Sequence, residues 1–171
     1  VEDHLKALVQ KESEGNDECS VCCGSSIVRE NIAMQKTPQE INEACAAPEA
    51  ELTHWPVQLH LVPSDARFLK NADLLIAADC VPFAFADFHK KFLAGKSLLV
   101  GCPKLDDVNV YLRKLIEIFK VSKPKSITLV MMEVGCCFGL SRLVKAALNK
   151  SGEEIPLEEI VVNVDGTIRD K

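Results

Sequence analysis

The chain has 171 residues, 47% hydrophobic and 26% charged, with a net charge of −5; this balance suits one globular domain with a full core and at most a small appendage. Its 20 Lys and Arg residues are interleaved with acids instead of forming a stripe, so a phosphate-binding face, and nucleic acid as a partner, are not expected. No apolar run approaches the roughly 20 residues that cross a bilayer, and the opening Val1-Glu2-Asp3-His4-Leu5 lacks the basic start of a signal peptide; a cytoplasmic protein with no membrane partner is expected.

Residues 1–53 read as an amino-terminal helical and loop segment. Leu5, Leu8 and Val9 share one face of a helix over Val1 to Glu12. A small, polar, cysteine-rich loop follows from Glu14 to Ser26. Thr37-Pro38-Gln39-Glu40 has the cap, proline and acid that start a short helix, and Pro48 ends it.

Residues 54–171 alternate strands and helices. Strands are predicted at Val57–Val62, Asp73–Ala78, Ser97–Val100, Ile127–Val134 and Ile160–Val164. Helices are predicted at Ser64–Asn71, Pro82–Ala94, Asp106–Val121 and Gly139–Lys150, the last stopped near Gly152. Asp73 to Ala78 is nearly all aliphatic, as a central parallel strand buried on both faces should be. The pattern implies an α/β fold: a three-layer sandwich around a mainly parallel, five-stranded, Rossmann-like sheet with right-handed crossovers.

Eight cysteines in a chain with enough apolar sequence to fold without staples point to metal or redox chemistry more than to disulfides. Three cysteine-bearing segments, at Cys80, Cys102 and Cys136-Cys137, each follow a predicted buried strand, and the carboxyl ends of parallel strands gather along one edge. Pro82 and Pro103 fix where the chain leaves the sheet, and Gly101 and Gly135 permit close backbone approach to a bulky group. Neighbouring residues of a strand face opposite ways, so Cys136 and Cys137 can share a site only if the strand has ended by Cys136. The amino end of the helix beyond them is expected to favour thiolate at Cys137, with Lys104 and Arg142 adding to that field.

Four thiolates are the usual complement of a [4Fe–4S] cluster. They equally suit zinc, although zinc ribbons usually bring two close pairs and these cysteines are widely separated. Taken singly, each cysteine reads as a small buried hydrophobe; three strand ends on one edge shift the balance to metal. Cys80, Cys102 and Cys136 are the expected ligands, with Cys137 next and Cys22, from the Cys19-Ser20-Val21-Cys22-Cys23 loop, competing for the fourth place. Cys45, His60 and His89 read as packing or surface residues, Asp106-Asp107 as a helix cap, and Glu158-Glu159 as solvated charge. No dinucleotide fingerprint, P-loop or Ser/His/Asp arrangement is visible.

The segments Trp55 to Pro63, Ala77 to Ala84, Gly101 to Asp106 and Met132 to Cys137 resemble the carboxyl-terminal domain of ferredoxin-type 4Fe–4S iron–sulfur proteins of anaerobic microbes. The similarity covers about residues 52–166. It departs at Gly135-Cys136-Cys137-Phe138-Gly139, where family members tend to have Pro-Cys-Cys-Gly-Gly, and at Cys23, where Pro is usual. The resemblance implies Cys80, Cys102, Cys136 and Cys137 as the functional thiols, electron transfer with a ferredoxin module or other redox protein as partner, and a chain that is the domain without its ferredoxin half. The alternatives are a zinc-bearing interaction module and an enzyme whose cluster has one open coordination position; no catalytic residue can be named.

Overall fold

The computed structural model describes residues 49–169 together with Arg29 and Glu30. The helices expected over 1–12 and from Thr37, the loop holding Cys19, Cys22 and Cys23, and Cys45 lie outside the described residues.

Asp73–Ala78 forms β3, whose Leu74 to Ala78 are all buried. Ser97–Gly101 (β4) and Ser126–Met132 (β5) flank it, and Leu157–Val162 (β6) pairs with β5, giving the parallel order β4-β3-β5-β6. Two short antiparallel strands, Arg29–Glu30 (β1) and His54–Trp55 (β2), stand apart from this sheet.

Val81–Ala84 (α1) and one π-helical turn, His89–Leu93, link β3 to β4; Val108–Ser122 (α2) carries the chain back across β3 to β5; Phe138–Ser151 (α3) continues to β6. Right-handed crossovers place α2 and α3 on one face and α1 on the other, and α2 and α3 pack together. The core is aliphatic, with Leu75, Leu99, Leu115, Ile118, Leu129 and Val144 fully enclosed.

Local signals explain the helix ends. Asp107 caps α2 by accepting the Asn109 N–H at 2.8 Å, whereas Asp106, expected to share that role, accepts the Tyr111 hydroxyl proton instead. Gly152, at φ 74°, ends α3 with a backbone bond to Leu148.

Four elements differ from expectation, and the parallel sheet has four strands where five are expected. The predicted helix Ser64–Asn71 is a single 3-10 turn, Arg67–Leu69. The predicted strand Val57–Val62 is reduced to a single parallel bridge of Gln58 to Val100. Beyond it Leu61 and Val62 both turn back onto the Gln58 carbonyl, because the buried residues, Leu59 and Val62, are spaced by three and not two. The predicted helix Pro82–Ala94 breaks at Phe85, which is extended; the break lets Phe85 pack on Phe92 at 4.8 Å while Phe88 and Leu93 enter the core. The last strand starts three residues early, so Glu158 and Glu159 belong to an edge strand, where Glu159 accepts from Ser141 and pairs with Lys145 at 2.6 Å.

His54 has a structural role that its sequence context hides. Its ring is buried, stacks on Phe68 at 3.9 Å, and accepts the outward Leu98 N–H of β4 at Nε2 over 2.8 Å. Burial lowers its pKa from 6.5 to about 4, against a smaller opposing bond to the Pro56 backbone. Between those two values the unfolded chain binds a proton that the folded chain refuses, so stability falls as pH falls through this window, by at most about 1.4 kcal/mol per pH unit. Denaturant titrations of the wild type and His54→Gln should show the wild type's advantage narrowing from pH 6.5 to 4; an unchanged gap would mean that the ring is not held neutral.

Candidate cysteine site at the carboxyl edge of the sheet

The strand order places the topological switch point between β3 and β5. From β3 the chain moves outward to β4, then crosses back to β5, and the crevice at such a point, beyond the carboxyl ends of the strands, is where open α/β sheets bind ligands. Cys80 leaves β3 two residues after Ala78 and stands at the start of α1. Ala78 is in register with Gly101, so Cys102 emerges from the neighbouring strand at the same level. The Cys102 carbonyl accepts the N–H groups of Leu105 and Asp106, both at 3.1 Å, which closes a tight turn around Pro103.

On the other side β5 ends at Met132, well before Cys136. The backbone then turns, Cys137 N–H donating to Val134 at 3.0 Å and Leu140 N–H to Cys137 at 2.9 Å. The loops after β4 and β5 meet across β3: a Cβ added at Gly139 would lie 3.5 Å from Cγ of Pro103. Thus the strand ends as the sequence requires, but the vicinal pair divides. Cys136 is exposed and Cys137 is 4% exposed; all four thiols are free.

Burial decides the chemistry of Cys137. It pushes this thiol up to about 11; a hydrogen bond with the Met132 backbone opposes the rise, and the nearby Cys136 and Cys80 sulfurs add smaller increments to it. The expected thiolate at the amino end of α3 is therefore corrected for the metal-free protein: desolvation outweighs the helix field. Lys104 and Arg142 are both exposed. Cys80 and Cys136 thus lie near enough to Cys137 for their charges to be felt there.

Beside Cys80 and Cys102 lies a polar group of Gln58, Asp79, Asp106 and Tyr111. Burial raises the Asp79 carboxyl above its ordinary range; the Gln58 amide opposes this by hydrogen bonding, and the Asp106 charge reinforces it. Oδ1 of Asp79 is buried with no partner. Tyr111 donates to Asp106, and burial with that bond pushes its hydroxyl far above its usual value. Sequence reasoning reads Asp106 only as a helix cap and does not bring these four residues together; the signal available is an acid closing an otherwise aliphatic strand at Asp79. His60 and His89 are exposed, as expected, and His89 Nδ1 accepts the Glu51 N–H at 3.0 Å.

Among the described residues no three His, Cys, Asp or Glu side chains are already arranged as metal ligands. The thiols line one edge without closing on a common point. Cys22 lies outside the described residues. No described helix is long and apolar enough to cross a membrane.

Residues 66–171 match the Rossmann-like domain family, and the chain belongs to it. It is 32% identical over 118 residues to an uncharacterized protein of Archaeoglobus fulgidus, an alignment covering 69% of this chain and 83% of that protein. No solved structure gives a significant match.

Gly101 is the backbone constraint on this edge, since a Cβ there would fall 2.7 Å from the Tyr111 hydroxyl. Gly101→Ala should destabilise the domain by about 1–3 kcal/mol through overpacking, measured as a lowered urea midpoint; an unchanged midpoint would show that the Tyr111 ring yields freely.

Proposed function

We propose that the carboxyl edge of the sheet holds one [4Fe–4S] cluster and that the domain passes electrons to or from a redox protein, a ferredoxin module being the partner that the sequence resemblance implies. The observation that carries this reading is the gathering of Cys80, Cys102 and Cys136 on adjoining strand-end loops at the switch point. The donor set suits the group: sulfur ligands on three separate loops beside a topological crevice. When bound, such a cluster supplies a one-electron donor and acceptor.

The chain's own residues supply position and field. Cys80 and Cys136, both exposed, and Cys102, half-buried, present the first three sulfurs. The fourth is either Cys137, whose thiol must leave its buried place, or Cys22. The amino end of α3 offsets negative charge on one side. On the other side burial raises the pKa of the Asp79 carboxyl.

A zinc-bearing interaction module is the second reading, favoured by Phe83 and Leu105, large apolar side chains exposed beside the thiols. Anaerobic reconstitution with iron and sulfide separates the two. About four irons and four sulfides per chain are expected, falling below half in Cys80→Ser, Cys102→Ser and Cys136→Ser. Zinc bound without sulfide selects the second reading, and a chain that takes up neither metal overturns both. Comparing Cys137→Ala with Cys22→Ala in the same assay identifies the fourth ligand by which variant loses iron.

A further inference from the structure

The break at Phe85 leaves a cavity on the α1 face of the sheet. Instead of one helix over Pro82–Ala94, the chain makes two separate pieces, α1 and the π-helical turn. Phe83 of the first and Leu93 of the second both line a cavity of about 370 Å³, and Leu98 and Val100 of β4 line it from the sheet. A Cβ at Gly101 would meet Tyr111 on the α2 side, so strand alternation turns Leu98 and Val100 toward α1.

Most of this lining is apolar, and its polar side chains are Gln58, Asp79 and His89. Gln58 pairs with Val100, and Val100 is in register with Ala77, two residues before Asp79. Gln58 and Asp79 are thus neighbours and hydrogen bond to each other. Oδ1 of Asp79 is nevertheless buried without a partner. Leaving such an acceptor unpaired is costly, and a donor carried into the cavity offsets the cost.

Charge narrows the choice of occupant. Among the described residues no lysine or arginine lines the cavity, and His89 uses Nδ1 to accept the Glu51 N–H at 3.0 Å. A carboxylate or phosphate would therefore meet the Asp79 acid with no cation to offset it, whereas an amine would find a partner there. Size and surface favour a ring. The volume is at the lower end of small-molecule sites and admits one or two fused rings, and Phe83, 92% exposed, offers an aromatic face otherwise left in water.

We infer that this cavity binds a small ring-bearing amine, whose N–H groups donate to the Asp79 carboxyl and whose ring lies against Phe83, Leu93 and Val100. The site goes beyond the cluster reading and does not rest on it. Asp79 precedes Cys80 in the chain, so the bound amine sits beside the thiol edge, but its contacts need no metal.

The test titrates the full metal-free chain, labelled for amide NMR, with tryptamine and with indole-3-acetate, which share a ring and carry opposite charges. Tryptamine should bind saturably, shift the amides of Phe83, Leu93 and Val100, and bind at least about tenfold more tightly than indole-3-acetate. Asp79→Asn should abolish that preference while its spectrum stays native. Phe83→Ala, at an exposed position, should weaken both indoles by roughly threefold. The chain's net charge of −5 attracts any cation weakly, so a preference that survives Asp79→Asn comes from the surface at large and overturns the site. Equal affinities, no saturable binding, shifts confined to other residues, or affinities unchanged in Phe83→Ala overturn it as well. A chain that binds tryptamine in this way but takes up no iron counts against the cluster alone, whereas one that builds a cluster and fails the titration counts against the cavity alone.

Discussion

Burial of β3 on both faces is the constraint on which the rest depends. Leu74 to Ala78 leave no side solvated, so each face needs its own cover. The chain provides it by moving outward to β4 on one side and returning over the sheet to β5 on the other. With right-handed crossovers this puts α1 opposite α2 and α3. The reversal of direction beside β3 creates a crevice, and the loops that bound it are the ones bearing cysteine. A solvated face on β3 would remove the need for two layers and, with it, the crevice.

At that edge two effects compete for the charge on each side chain. The amino end of α3 favours an anion at Cys137, but the side chain turns into the core and burial prevails. Asp79 and Tyr111 obey the same rule: burial is the largest cause of each rise, and the Asp106 charge adds a smaller part. Burial thus disfavours charge at Cys137, Asp79 and Tyr111 along this edge. Placing a metal on it requires the thiols to lose protons, so metal uptake and proton release are coupled there.

Legibility in the sequence follows the range of the interaction. β3 is plain because a run of aliphatic residues from Leu74 to Ala78 needs no knowledge of its neighbours. Asp107 and Gly152 declare the ends of α2 and α3 through local geometry alone. The break at Phe85 is not visible in this way, since it answers to the packing of Phe85 on Phe92, and neither is the arrest of the Val57 segment after one bridge. The site divides similarly. The placing of Cys80, Cys102 and Cys136 on loops along one edge follows from strand-end logic, whereas the separation of Cys136 from Cys137 depends on a turn after Met132 that brings one thiol inward. The group of Gln58, Asp79, Asp106 and Tyr111 assembles only through the register of Ala78 with Gly101, and His54 acquires its partner, Leu98, from 44 residues away.

The outer margins of the sheet are closed by different means. Along β4, the His54 ring and the Val57 to Leu59 backbone occupy the outward hydrogen-bonding groups of Leu98 and Val100. Along β6, among the described residues, the returning chain occupies the far end, where Arg169 N–H bonds to Val161 and Thr167 accepts from Asn163. Nearer its start this strand carries Glu158 and Glu159, and Glu159 is drawn onto Ser141 and Lys145 of α3. One side of β6 is therefore tied to the helix layer by charge and hydrogen bonding, where the inner strands are tied to it by apolar packing alone.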